Sequence, residues 1–455
     1  MRKLTSVCLA LVLGTAGAVA NSPQSGGQGD RFLDVIVSLN VDANSHPAAE
    51  NRAVAAEVAR DHGVRANRTF GTVFAGFAAS VPEAALQGLK NDPVVESISF
   101  DGTVSISGGN CPHCGGNDDD DDDGGDEDTN QDVPWGIDRV GSQDNPNTGA
   151  GISVYVLDTG IDASHDDLAA NLGEGFAVEI CEEGGGGPGG GPFAGGGNDD
   201  CQADWDDDQG HGTHVAGTIG AIDNDIDVVG VAPDVTLHAV KVLDSGGGGS
   251  FSGIIEGIDW VAEQAIAKGE SVVANMSLGG GGSKDGECTD SGFTGDDNMH
   301  RAICNAKNAG VVFVVAAGND GADASGSVPA AYDDAVITVS ATSEGDDWTS
   351  WSNWGNDAAG WTSNDSAPVA IAAPGAAVLS TAMGGGTESL SGTSMAAPHV
   401  AGGAALFLNS NHQSQDASAF HNTRAALLNS AESTNGFSNT SGNPHDEDFL
   451  DASNL

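Results

Sequence analysis

Basic residues are scarce in this chain: 15 Lys and Arg stand against 66 Asp and Glu among 455 residues, a formal net charge of −51. A surface of that sign repels nucleic-acid phosphates and anionic lipid, which excludes a general DNA or RNA binder. Long apolar runs are missing too. Beyond residue 20, no segment reaches the roughly 18 consecutive apolar residues of a membrane span. Aromatics are few, at 5%, yet apolar residues at 39% leave ample material for a large core. Glycine is abundant, at 68 residues. A strongly acidic chain can be disordered, but the β-branched apolar runs argue against that here. The length allows about three structural units.

Arg2 and Lys3, an apolar stretch over 4–19 and Ala18-Val19-Ala20 have the layout of an export signal, removed before Asn21. Residues 1–20 are therefore expected to be a signal peptide, and the rest secreted with no membrane attachment. Cys8 leaves with the signal. Six cysteines remain, Cys111, Cys114, Cys181, Cys201, Cys288 and Cys304, and an even number in an oxidising compartment favours disulfides.

Composition divides what remains. Residues 31–107 carry six basic and nine acidic residues, whereas 131–455 carry seven against 47. Between them, 108–130 contains an unbroken Asp run, 118–123, followed by Gly124 and Gly125. Such a block self-repels and builds no core, so it reads as a linker. Calcium binding by that run is disfavoured, because consecutive carboxylates need turns to converge on one ion.

Residues 31–107 read as strand, helix, strand, helix, strand at 32–37, 48–60, 69–81, 82–90 and 94–106, a small α+β unit. The larger segment alternates strands (152–157, 236–242, 271–276, 311–315, 335–339) with helices (254–268, 298–308, 394–408). That alternation predicts an α/β fold with a mostly parallel sheet covered on both faces. Active residues of such folds sit at carboxyl ends of strands and at helix starts.

Four motifs fall at such places. Asp158 closes a strand in Val156-Leu157-Asp158-Thr159-Gly160. His211 opens a helix in Gly210-His211-Gly212-Thr213-His214. Asn319 follows a strand in Ala316-Ala317-Gly318-Asn319-Asp320, and Ser394 starts a helix in Gly392-Thr393-Ser394-Met395-Ala396. A serine hydroxyl is a poor nucleophile until an imidazole takes its proton, and a carboxylate must hold that imidazole in the right tautomer. The helix amino terminus beneath Ser394 favours developing negative charge.

Around these residues, over roughly 131–455, the chain resembles the subtilisin-like serine protease family (subtilases), which shares the order Asp, His, Ser. The resemblance implies a three-layer subtilisin-like fold and a secreted serine endopeptidase. It makes Asp158 the orienting carboxylate, His211 the general base and acid, Ser394 the nucleophile and Asn319 the side-chain oxyanion donor. His214 also lies in its motif, but the base position matches the first histidine, His211; His399 stands five residues after Ser394, about 140° around a helix, and reads as structural.

The resemblance carries further. Ser277-Leu278-Gly279 and Gly247-Gly248-Gly249 resemble the two edges that pair with an extended peptide substrate. Ala316-Ala317-Gly318 resembles a wall of the primary specificity pocket, and Phe251 a wall farther upstream. These walls lack charge, which implies broad specificity with apolar residues favoured before the cut. A narrow processing protease is the alternative, and an inactive binding protein on the same scaffold a remoter one. Residues 31–107 resemble the family's inhibitory pro-domain, with Val95, Ile98 and Asp101 at the family spacing. The implied product is a self-processing zymogen, monomeric when mature, whose partners are protein and peptide substrates and its own pro-domain. The pro-domain match ends near Ser107, while the peptidase match starts near Gln131.

A structural calcium ion is implied by a composite match: Gln131, then Asp167 nine residues after Asp158, then the carbonyls of Ile222, Ile226 and Val228 with the Asn224 amide oxygen. These are hard oxygens in the number calcium prefers. Asp223, Asp225 and Asp227 would point outward. Local disulfides are preferred for Cys181 with Cys201 and for Cys288 with Cys304, among three possible connectivities. Cys111-Pro112-His113-Cys114 has the spacing of a redox or metal motif but lies in the linker, where a local disulfide is the simpler reading.

Overall fold

A computed structural model describes residues 31–106, 131–178, 180–181, 201–202, 204–355, 368–440 and 442–455, backbone only at 44, 180, 181, 201 and 202. The export signal, the linker and its Cys111 and Cys114 lie outside these.

The small unit comprises β1 (Phe32–Leu39), α1 (Ala48–Asp61), β2 (Arg68–Phe70), β3 (Gly76–Pro82), α2 (Glu83–Lys90), β4 (Val95–Phe100) and β5 (Thr103–Ser105). Its antiparallel sheet runs β2-β3-β1-β4. Alternation along β1 explains how both faces are covered. Val35, Val37 and Leu39 point into the unit's own core, with Ala55, Ala59 and Leu89 of its helices. Ile36 joins Phe70, Phe74 and Ala78 in the core of the larger domain instead. The expected strand over 69–81 is thus two strands, because the connecting amides are used elsewhere. Those of Gly71, Thr72 and Val73 donate to buried Asp259, the latter two at 2.7 and 2.8 Å.

The large domain contains β6 (Ser153–Asp158), β7 (Phe176–Ala177), α3 (His211–Gly220), β8 (Thr236–Lys241), β9 (Gly248–Ser250), α4 (Phe251–Lys268), β10 (Val272–Met276), α5 (Asn298–Asn308), β11 (Val311–Ala316), β12 (Val336–Ser343), β13 (Asp347–Trp348), β14 (Ile371–Pro374), α6 (Thr393–Ser410) and α7 (Ser418–Ser430). The sheet runs β13-β12-β11-β10-β6-β8-β7, with β14 also on β12. All its pairings are parallel except β12 with β13. Val154, Val156, Val312 and Val314 face α3, α6 and α7. Tyr155, Leu157, Phe313 and Val315 face α4 and α5. Three layers result, and the small unit docks on the outside of α4 and α5.

That docking is polar as well as apolar. Arg52 reaches Asp259 at 2.7 Å and Glu263 at 2.8 Å, Arg68 pairs with Glu256, and Arg301 reaches Glu96 at 2.8 Å. Asn298 Nδ2 donates to the Ile36 carbonyl at 2.9 Å and Asn305 Nδ2 to that of Val73 at 2.7 Å. Asp101 accepts from the Ser252 amide in the first turn of α4 at 2.9 Å. The chain leaving β4 is thereby aimed at β9 of the large domain, with which β5 forms a separate two-stranded sheet.

Cys288 and Cys304 form the expected local disulfide. Cys181 and Cys201 are cross-strand neighbours in a two-residue backbone pairing, and their sulfurs lie outside the described residues.

Candidate active site

β6 ends on Asp158, which is fully buried. Its Oδ1 accepts from the Thr159 amide at 2.8 Å and lies 2.8 Å from His211 Nδ1. His211 opens α3 and is reached through Gly210 at φ 106°, a conformation that a side chain would strain. Gly212 permits the helix its close approach: a Cβ there would sit 2.1 Å from the Gly160 oxygen. Asp207 fastens the helix start. Its carboxylate accepts from the amides of Gln209 and Gly210 at 3.0 Å each and from Thr213 N and Oγ1 at 2.9 and 2.6 Å.

Burial opposes a charged imidazole at His211. The adjacent Asp158 carboxylate, helped by Asp207 and Glu388, outweighs it and holds the His211 pKa above its ordinary value. The neighbouring histidines behave differently. His214 Nε2 is 3.0 Å from the Val378 carbonyl, and burial pulls its pKa down to about 3. His399 Nδ1 is 2.8 Å from the Met395 carbonyl, and burial brings it to about 4. Both read as structural, which the sequence led us to expect of His399.

Ser394 is the second residue of α6, a helix that packs against α3, and is 2% exposed. Its Oγ donates to the Ser277 carbonyl at 3.2 Å, and Ser277 Oγ donates back to the Ser394 carbonyl at 2.8 Å. Asn275 Nδ2 donates to Ser277 Oγ at 2.9 Å, so the end of β10 holds the start of α6. Asn319 follows β11. Its Oδ1 accepts from Thr393 N at 2.9 Å and Thr393 Oγ1 at 3.0 Å. That leaves Nδ2 as a buried donor without an acceptor among the described residues, 3.2 Å from where a Gly392 Cβ would stand. Leaving such a donor unpaired costs about 1–3 kcal/mol.

A groove runs past these residues, and the chain's own β5 lies in it. Ser105, Val104 and Thr103 pair antiparallel with Gly248, Gly249 and Ser250. Ser105 exchanges two backbone bonds of 3.0 Å with Gly279, and the Ile106 amide donates to Gly247 at 2.9 Å. The Phe251 ring closes over Gly102, where a Cβ would meet it at 2.6 Å. Beside β5, a cavity of about 470 Å³ is lined by Leu278, Gly279, Ala316, Ala317 and Gly318. Val328, Ala330 and Asp320 line it as well. The walls named from the sequence carry no charge, but Asp320, next to Asn319, adds an exposed carboxylate to this cavity.

The residues implied as calcium ligands are hydrogen-bonded to one another. Gln131 Nε2 donates to the carbonyls of Ile222 at 2.5 Å and Val228 at 2.6 Å, and Gln131 Oε1 accepts from Asn224 N at 3.2 Å. Asp167 is fully buried, accepting from Asn224 Nδ2 at 2.9 Å and Val228 N at 3.2 Å. Desolvation pushes its pKa to about 6. Two carbonyls and a buried carboxylate gathered around the Gln131 and Asn224 amides are hard oxygen donors that would fit calcium with those amides turned oxygen-inward. The Ile226 side chain is exposed, its amide bonded to Asn224 Oδ1 at 2.9 Å. Asp223 and Asp225 point outward, and Asp227 is half-buried.

The chain matches the subtilase family over residues 149–445. This is a subtilase. Residues 35–107 match the peptidase inhibitor I9 family. Over 356 residues the subtilase is 35% identical to an extracellular serine proteinase of Thermus, covering 76% of this chain and 69% of the relative. It is 32% identical over 411 residues to subtilisin E of Bacillus subtilis, covering 89% and 88%. With subtilisin-like protease 1 of Arthroderma otae it shares 36% over 353 residues, 75% of this chain, and it spans only 58% of that relative's length. A crystal structure of a cold adapted subtilisin-like serine proteinase superposes with a TM-score of 0.52 at 33% identity, covering 70% of this chain and 97% of that one.

Proposed function

We propose that this subtilase is a secreted serine endopeptidase made as a self-processing zymogen. The observation that carries the reading is the buried Asp158–His211 pair at 2.8 Å, beside a groove in which β5 lies as an added strand. His211 takes the proton of Ser394 as its Oγ attacks the scissile carbonyl, and Asp158 holds the imidazole tautomer and stabilises the imidazolium. Asn319 Nδ2 and the Ser394 amide receive the oxyanion. The proton then passes from His211 to the leaving amine, and water resolves the acyl-enzyme by the same route.

The cavity of Ala316, Ala317, Gly318 and Val328 favours apolar side chains before the cut, while Asp320 admits a long basic one whose head stays near water. This supports broad specificity. β5 occupies the groove as the product of such a cut would, with the cleavage itself in 107–130, outside the described residues. The protein acts as a monomer on proteins and peptides. Gln131, Asp167, Ile222, Asn224, Ile226 and Val228 would hold a structural calcium ion, which would supply a cross-link among three chain segments.

The processed protein should hydrolyse casein, and a sulfonyl fluoride should abolish this while adding one label at Ser394. Hydrolysis that survives stoichiometric labelling would rule the mechanism out.

A further inference from the structure

Lys241 is a buried cation that plays no part in the chemistry above. It closes β8 with a side chain 1% exposed. Burying an ammonium ion costs several kcal/mol unless partners compensate, and an apolar residue would fill the space more cheaply. The partners are specific. Nζ donates to the Thr159 carbonyl at 2.5 Å and to Asp208 Oδ1 at 2.6 Å. Thr159 follows Asp158, and Asp208 lies in the segment that delivers His211, 53 residues away from Asp158 in sequence.

The surrounding bonds extend both contacts into the active site. Lys241 stands opposite Asp158 in the β8–β6 register. The amides of Val242 and Leu243 both donate to the Asp158 carbonyl, at 2.9 and 3.2 Å. The strand end carrying Lys241 therefore fixes Asp158 and Thr159 by their carbonyls. Thr159 Oγ1 in turn accepts from Gly212 at 2.9 Å. On the other side, Asp208 adjoins Asp207, the residue that ties Gly210 and Thr213 at the start of α3.

We propose that Lys241 is a positioning residue for the proposed proteolytic reaction: it clamps the Asp158 turn to the approach of the His211 helix. The inference rests on that activity. The charged and titratable groups facing His211 are Asp158 from β6, Asp207 from the approach to α3, Glu388 from a neighbouring hairpin, and His214 on its own helix; His399 of α6 faces His214. Lys241 and Asp208 stand behind this set, against Thr159 and next to Asp207, as one positive and one negative charge. Removing Lys241 favours the imidazolium, and removing Asp208 disfavours it.

The test compares full-length wild type, Lys241→Met and Asp208→Asn. Rates on a peptide substrate are taken per active site, counted with a fluorophosphonate, and thermal unfolding is recorded in parallel. Both variants should lose about tenfold or more in kcat with KM little changed, since small misplacements of catalytic groups are costly. The acid limb of kcat/KM should move to higher pH in Lys241→Met and to lower pH in Asp208→Asn. A purely structural role would not give opposed shifts. Wild-type rates per titrated site, an unmoved limb, or shifts of the same sign would overturn the proposal. Should Lys241→Met fail to fold, Asp208→Asn decides alone: reduced kcat with a lower acid limb supports the clamp, and wild-type values overturn it. An inert wild type would count against the protease reading, not against the clamp.

Discussion

Asn319 keeps a buried amide donor without an acceptor among the described residues, while both its oxygen contacts go to Thr393. That arrangement suits a charge that exists only during the reaction. Asn319→Ala should therefore reduce kcat with KM nearly unchanged. The scale is that of subtilisin's own oxyanion asparagine, whose removal costs about 10²–10³ in turnover. A loss confined to KM in steady-state kinetics would place Asn319 in ground-state binding instead. Asn319 was legible in the sequence for the same reason as Asp158, His211 and Ser394: each lies in a long motif at a strand end or helix start. Asp207, Lys241 and Asp320 were not. Among the described residues Asp207 bonds only to its own segment, outside the quoted motif, and Asp320 enters the cavity by the way the strand end folds. Lys241, whose partners Thr159 and Asp208 come from other segments, reads in Ala239-Val240-Lys241-Val242 as an ordinary strand-end lysine.

Among the elements, the central strands were plain because fully buried strands are continuous apolar runs, as in Val154-Tyr155-Val156-Leu157 and Val311-Val312-Phe313-Val314-Val315. Extended chain over 94–106 was also foreseen, but it divides. β4 completes the small sheet, and β5 leaves to pair with Gly248 and Gly249 of the large domain, a change of partner that no local pattern encodes. β14 and α7 escaped notice, the first for its four residues and the second for its mixed composition. The proposed calcium site likewise joins separate segments, with Gln131 bonded to the carbonyls of Ile222 and Val228. An ion that binds only the folded arrangement stabilises it by linkage. Chelator should lower the unfolding temperature of the processed protein and speed its autolysis, and Asp167→Ala with Asn224→Ala should reproduce both with calcium present. A chelator-insensitive melting curve would remove calcium from the account.

At the scale of the molecule, charge is distributed unequally and used locally. The large domain is short of basic residues, seven against 47 acidic, and its acidic helix α4 takes two arginines from the small unit. Arg52 meets Asp259 and Glu263, and Arg68 meets Glu256. Away from such contacts the excess carboxylates repel one another, and at about 0.1 M salt that repulsion still reaches roughly 10 Å. The unfolding temperature should rise between about 0.05 and 2 M NaCl with calcium saturating; a flat response would refute a destabilising self-repulsion. The central claim, that the chain cuts itself with the residues described, is tested most directly by expressing full-length Ser394→Ala in a protease-free system and measuring intact mass. The account predicts a single uncut species retaining residues 31–107 in the same chain as the peptidase domain, beside a wild type cleaved within 107–130. A Ser394→Ala chain cleaved there as completely as wild type would contradict it.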